Sequence, residues 1–485
     1  MAAGAMAKAD SGDLAIWWVR QDLRLADNPA LTAATAGKII AVYILDDAAA
    51  GEWAMGGAHR WWLHHSLQSL GLALRHAGAT LVLRRGVAAK ILAELVRETG
   101  AATVHAGALV EPWARRQTDA VAHALDTVPL QLHRTSTLRG MDAVKTKTGG
   151  VYGVYTPFAR ASRAIGPPPP PLPAPAKLHA GPAVPSDTLD DWALLPAKPD
   201  WAQGLRDTWT PGEAGAHTRM RQFMHDALGQ YATGRNLPGE HLTSMLSPHL
   251  HWGEVSPAQV WHASGDAGGG AQDLEALQTF QGEILWHEFA AYLLWHHPHL
   301  PNQPLKPAYA RMPWREDAAG LQAWQQGRTG VPIVDAGMRQ MWQIGWMHNR
   351  VRMITASFLI KHLLVNWVEG ETWFWDNLVD GDLAANAASW QWVAGSGTDS
   401  QPFFRIFNPV SQGEKFDSDG AYVRRWVPEL ANLPDKYLHA PWDAPAVVLA
   451  GAGIRLGRDY PRPIVPLAEG RDRALAAFKS MRETA

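Results

Sequence analysis

The 485-residue chain has no cysteine. That excludes disulfides, thiolate metal sites and a cysteine nucleophile, and it suits a reducing, cytoplasmic setting. It has no apolar run of roughly eighteen residues, so no membrane span is indicated. Residues Met1 to Gly12 are Ala-rich without the apolar core of a secretory signal, and read as a disordered tail. Neither G-x-G-x-x-G nor G-x-x-x-x-G-K-[ST] occurs in the first third, so dinucleotide and P-loop binding find no support there. An excess of one charge is missing too: 44 Lys and Arg stand against 46 Asp and Glu. A net charge of -2 points to no partner by itself. Between Arg311 and Lys361, seven basic residues meet three acidic ones. Charge alone reads this better as a solvated mixed surface than as a basic patch.

What the chain does have is tryptophan, 24 in all, many in the second half beside Asn, Arg and Asp. Such rings serve as core and, in that company, as stacking surfaces or electron relays. The length predicts two domains. Strand-like runs at Leu14–Val19, Lys38–Leu45, Thr80–Leu83 and Thr103–Ala106 alternate with helical patterns over 60–77 and 87–99. This predicts an α/β domain over 13–140, a doubly wound, Rossmann-like parallel sheet with ligands at the carboxyl ends of its strands. Residues 141–205 are Pro-rich, with an unbroken run from Pro167 to Pro171, and read as a surface linker. From 206 to 485 apolar residues recur at helical spacing, as in Leu274, Leu277, Ile284 and Leu285, predicting a larger all-α domain.

Thr243, Ser244, Met245, Leu246 and Ser247 place three hydroxyls in five residues. They suit a phosphate cradle or, more simply, a helix N-cap. Tyr231 and Arg235 upstream are unremarkable alone. Glu283, Trp286 and His287 share one helix face. A carboxyl beside an indole suits a flat base, and a helix covering the core through Trp286 is an equal reading. Asn349 shares a face with Arg352 and Met353. Asn can read a base edge, Met is an adaptable filler, Arg350 suits a phosphate, and Arg352 a buried acidic partner. His348 reads as structural. Asp380, Gly381 and Asp382 lack further ligands at metal-loop spacing, so no metal is predicted. They form a turn before a helix, or acids that hold a ribityl hydroxyl or balance Arg352. Arg405 and Lys415, the latter near Gln412, are candidate phosphate contacts.

Six strings carry a family resemblance: Trp18 to Arg24, Asp27 to Leu31, Leu246 to Gly253, Gly345 to Arg350, Asp380 to Asn386 and Phe404 to Pro409. In this order, from about Ile16 to Trp442, the chain resembles the photolyase/cryptochrome family, most of all the bacterial cyclobutane pyrimidine dimer (CPD) DNA photolyases. The resemblance implies a helical domain holding a U-shaped, reduced FAD (FADH⁻). Its contacts would be Tyr231, Thr243 to Ser247, Phe280, Arg352, Asp380, Gly381, Asp382 and Asn386, with Asn386 beside flavin N5 and Arg352 paired to Asp380. A lesion pocket of Glu283, Trp286, Asn349, Met353 and Trp392 is implied, with DNA contacts at Arg235, His287, Arg350, Arg405 and Lys415. Trp390, Trp367 and Trp314 match the family's electron-transfer chain. His287 stands where relatives commonly carry Arg, and Phe280 where they carry Trp. For a second, antenna chromophore in the first domain the resemblance leaves a folate type, a deazaflavin type and loss of the antenna open, since His59, Glu111 and Trp113 do not decide among them. The implied activity is light-driven repair of a flipped-out dimer in UV-damaged DNA, by a cytoplasmic monomer. A cryptochrome-type blue-light photoreceptor is disfavoured, because little chain follows Asp443. A (6-4) photolyase is disfavoured, because its histidine-rich segment is replaced by Met347 to Met353.

Overall fold

The computed structural model describes residues 13–267, 271–400 and 402–483; the tail Met1 to Gly12 lies outside the described residues. Five parallel strands form one sheet in the order β3-β2-β1-β4-β5: β1 (Leu14–Val19), β2 (Lys38–Leu45), β3 (Leu81–Arg85), β4 (Thr103–Gly107) and β5 (Leu130–His133). β1 pairs with β2 on one side and β4 on the other, so the strand order reverses at β1 and opens a crevice at the carboxyl ends there. Ile16, Trp17, Trp18, Ala41 and Val42 are buried, as befits strands covered on both faces. β3 begins one residue later than predicted, and β5 was not predicted at all. Its four residues, Leu-Gln-Leu-His, form a partly exposed edge without a continuous apolar run.

The Pro-rich segment is not wholly an extended linker. The Tyr155–Ala164 helix lies within it and buries Phe158 against Phe289 and Tyr292. Phe158 and Ser162 fall one turn apart on the buried face of that helix, ahead of the proline run that ends it. After residue 133 no strand occurs among the described residues, apart from isolated bridges. The second half is helical around the long Ala271–His296 helix, which packs on the Leu383–Ala394 helix.

Two of the quoted strings lock the halves together. Arg24, fully buried, donates to the carbonyls of Gly253, Asp27 and Thr135. Gly253 adopts φ 64°, and a Cβ there would stand 2.1 Å from the Gln21 carbonyl oxygen. Only glycine tolerates both the conformation and the approach. Trp62 Nε1 donates to Glu254 Oε1 at 3.0 Å across the same seam.

Candidate functional site: a cavity among the helices

A cavity of about 560 Å³ opens among the helices, and it gathers the predicted site residues with four exceptions, Trp314, Trp367, Arg405 and Lys415. Its size lies within the range of small-molecule and cofactor pockets. The Ala271–His296 helix contributes Phe280, Glu283, Trp286 and His287; the Asn349–Ser357 helix adds Asn349, Arg350, Arg352 and Met353; the Leu383–Ala394 helix adds Asn386, Trp390 and Trp392.

The Asp380 and Asp382 loop is the charged end. Arg352 Nη2 reaches both Asp380 oxygens at 2.8 and 3.0 Å, and its Nε donates to the Met347 carbonyl. Asp382 caps the Leu383–Ala394 helix by accepting from Ala385 N at 2.7 Å, so the turn-before-helix reading holds. Its second oxygen stands 4.0 Å from His251 Nδ1, an ion-pair spacing longer than a hydrogen bond. Burial alone would raise the Asp382 pKa, but the His251 and His287 imidazoles and the helix amide outweigh it and hold the carboxyl at about 2. Among the described residues, no group of three or more His, Asp or Glu could hold a metal. Asn386 Nδ2 donates to the Glu371 carbonyl at 2.9 Å, which leaves its side-chain oxygen as the group free for the cavity.

The hydroxyl-rich segment behaves differently from a plain N-cap. Met245 takes φ 48°, Ser244 Oγ accepts from Leu246 N, and Ser247 Oγ accepts from Trp346 Nε1. None of the three hydroxyls caps the short Ser247–His251 helix. Tyr231 and Phe280 meet edge to face at 5.2 Å beside them, an apolar wall in which Phe280 offers no donor. Charged pairs at one end, a hydroxyl-lined turn and apolar walls suit a group that is part flat ring, part polyol and phosphate.

The side lined by Glu283 and Trp286 is more constrained than its residues indicated. Glu283 Oε1 accepts at 2.5 Å from Nη1 of Arg235, which follows the short Tyr231–Gly234 helix. Trp286 stacks on Tyr155 with centroids 3.7 Å apart and planes 7° from parallel, while Tyr155 Oη donates to the Gly282 carbonyl. Burial, with Glu283 nearby, pushes the Tyr155 phenol up to about 12. Sequence reasoning missed Tyr155, because it reaches the site from the linker helix. It also missed Phe416, whose ring lies 4.5 Å from the Arg350 guanidinium and 5.1 Å from Lys415 Nζ, gathering the two cations. Arg350 also donates to Asn236 Oδ1 at 2.5 Å. His348 is structural: it caps its helix, and burial holds its pKa at about 3. Lys415 and Arg405 are exposed outside the cavity.

Trp390, 2% exposed, lines the cavity and packs on Phe374 and Trp324. Its ring passes so close to Gly370 that a Cβ there would stand 2.1 Å away. Trp367 lies one turn before Gly370 on the Trp367–Asn377 helix and is buried, and Trp314 is half-buried.

A second cavity, about 100 Å³, occupies the crevice at the carboxyl ends of β1 and β2. Trp18, Trp53, Trp113 and Trp375 wall it together with His59. Among the described residues neither His59 ring nitrogen has a partner; both are buried, and burial holds the ring neutral. Glu111 is buried behind, its carboxyl pushed up by burial and by Asp382. His251 stacks on His59 at 5.2 Å and lines both cavities.

Known proteins resemble the chain in sequence and fold. Residues 15–176 match the model for DNA photolyase, and residues 280–480 that for the FAD binding domain of DNA photolyase. The chain is 49% identical to the deoxyribodipyrimidine photo-lyase of Agrobacterium fabrum, over 97% of this chain and 98% of that protein. It is 36% identical to cryptochrome-1 of Arabidopsis thaliana, over 99% of this chain and 72% of that protein. A crystal structure of a bacterial class III photolyase from Agrobacterium tumefaciens superposes with a TM-score of 0.94 at 48% identity, covering 98% of this chain and 99% of that one. The chain belongs to the DNA photolyase family. It is a flavin-binding lyase with an α/β first domain and a helical FAD domain. No helix among the described residues is long and apolar enough to cross a membrane.

Proposed function

We propose that the protein splits cyclobutane pyrimidine dimers in UV-damaged DNA with light. Bound FAD, in its reduced form, would supply the excited-state electron. The observation that carries this reading is a single cavity that joins a base-facing set, Glu283, Trp286, Asn349, Met353 and Trp392, to the Arg352–Asp380 pair and Asn386. Arg352, Asp380 and Asp382 hold the cofactor's polar groups, and Tyr231 with Phe280 closes an apolar side. The free oxygen of Asn386 accepts from a ring N–H, which favours a reduced, protonated flavin nitrogen over a bare one. Trp286, braced by Tyr155, and Trp392 flank the fused rings. Asn349 offers a donor and an acceptor to the base edges. Glu283, oriented by Arg235, accepts from a base N–H. Donors aimed at the base carbonyls stabilise added negative charge more than the ground state. Extrusion of the dimer costs a few kcal/mol, less at a distorted step, and this favours damaged over intact sites.

Arg350 and Lys415 around Phe416, together with Arg405 and His287, take the phosphates. Trp390, Trp367 and Trp314 form a route for re-reducing the flavin from the surface. The division at 13–140, 141–205 and 206–485 stands as our assignment of domains, amended by the Tyr155–Ala164 helix. The protein acts as a cytoplasmic monomer. At about 100 Å³ the sheet-end cavity is smaller than the roughly 300 Å³ that ligand pockets usually reach. A folate- or deazaflavin-type antenna there would therefore displace Trp53 or Trp113.

Illuminating the reduced, FAD-loaded protein with thymine-dimer DNA and with (6-4) DNA tests the function. Loss of the dimer alone is expected. Loss of only the (6-4) product reassigns the substrate, and loss of neither leaves a cryptochrome-type photoreceptor. Absorbance and mass of the extracted chromophores test the antenna.

A further inference from the structure

The segment from Pro402 to Asn408 follows the cavity residues Trp392 and Thr398 and presents Phe404, 62% exposed, and Arg405. Beneath it lies Lys361, in the π-helical turn Phe358–Leu363 and 1% exposed. Lys361 Nζ donates to the Arg405 carbonyl at 3.0 Å and stands 5.5 Å from the Phe403 ring centre. Phe403 is buried and stacks on Phe478 of the Leu467–Glu483 helix at 5.2 Å, with Tyr309 against both rings. Among the described residues Lys361 has no ion-pair partner. The ionisable groups around it are His362 in its own turn, Arg473 of the C-terminal helix, which donates to the His362 carbonyl, Arg405 above it, and the Tyr309 phenol. Burial pulls the Lys361 ammonium down to about 7. A buried cation without a counter-ion destabilises a fold, and an apolar side chain of similar volume is often better tolerated. Stability therefore gives no reason for a lysine here, whereas a charge-assisted bond to one loop carbonyl does.

We propose that Lys361 is a positioning residue for DNA, anchoring the Pro402–Asn408 segment from below so that Arg405 and Phe404 are held ready beside the cavity. This rests on the reading of Arg405 as a DNA contact. The test compares Lys361→Met, Arg405→Ala and the parent protein, all full-length and FAD-loaded. Affinity for dimer-containing duplex is measured from pH 6 to 8.5, alongside thermal unfolding and hydrogen exchange. Lys361→Met is expected to keep its flavin absorbance and to unfold at the same or a higher temperature. Its Pro402–Asn408 amides should exchange faster than the parent's, and it should bind DNA about tenfold less tightly at pH 6. The gap to the parent should narrow as pH rises through about 7, where the parent lysine sheds its proton. Unchanged affinity in Lys361→Met, with a loss in Arg405→Ala, overturns the proposal and leaves the DNA reading intact. A lower unfolding temperature with a pH-independent gap marks Lys361 as purely structural and also overturns it. No effect of Arg405→Ala removes the DNA reading of this segment, and the proposal with it.

Discussion

The two cavities differ in what their polar groups do. In the helical cavity Arg352 is paired with Asp380 and Arg235 with Glu283, Asp382 stands beside His251, and Arg350 bonds Asn236. The sheet-end cavity sets indoles around His59, whose ring nitrogens have no partner among the described residues, while Arg20, Gln117 and Asp46 in its lining bond in a chain through Gln117. Pairs set before a ligand arrives hold its contacts in place and spare the ordering cost on binding. The indoles set shape and leave the His59 nitrogens to whatever enters. His251 is common to both walls, so the contrast is one of pairing and not of separate construction.

The sharpest way to break this contrast is Asp380→Ala, which strands the Arg352 guanidinium. It should cost about 3 kcal/mol in denaturant unfolding of the FAD-free protein, and desalting should strip its flavin. Stability equal to the parent's would mean that the pair does not organise the cavity. Next comes pH. Because folding lowers the Asp382 pKa from 3.8 to about 2, its stabilisation is present above about pH 4 and disappears as pH falls towards 2. Roughly 2 kcal/mol follows from a shift of that size. Unfolding curves at pH 5 and pH 2 should show this loss in the parent and lack it in Asp382→Asn. Glu283→Ala should slow dimer repair about tenfold, close to 1.4 kcal/mol of barrier, with FAD retained; unchanged turnover would remove Glu283 from the site. Tyr155→Ala, which deletes the ring under Trp286, should weaken dimer binding about fivefold, for a stacking contribution near 1 kcal/mol. The salt dependence should stay as it was, since no phosphate contact is lost, and a changed salt slope would contradict the bracing role. The smallest effect belongs to the other cavity. His59→Phe removes two unpartnered nitrogens and should leave stability within about 1 kcal/mol, with the FAD content unchanged. A loss as large as that of Asp380→Ala would erase the distinction between the cavities.

The strands β1 and β2 were legible because each is buried on both faces and reads as a nearly continuous apolar run, whereas His105 interrupts the shorter β4. β5 was not, since a four-residue edge carries no such run. The Tyr155–Ala164 helix was masked by the prolines that follow it, and the bracing of Trp286 was masked with it. Twenty-one of the predicted site residues reach the large cavity because their strings are local: an Asp-Gly-Asp turn capping a helix, or Asn, Arg and Met on one helical face, is written in consecutive residues. The hydroxyls of Thr243, Ser244 and Ser247 misled in the opposite direction, looking like caps and capping nothing.

By itself the amino-acid order determined the two fold classes, their succession along the chain and the faces that the site residues occupy, because periodicity and turn chemistry act over a few residues. Only the packed molecule decided the partners. Arg235 finds Glu283 across 48 residues and Lys361 finds Arg405 across 44. His251 comes to stand between two cavities. Buried charge and unpaired nitrogen are satisfied by whichever group the fold brings near, and nothing in the local sequence names that group.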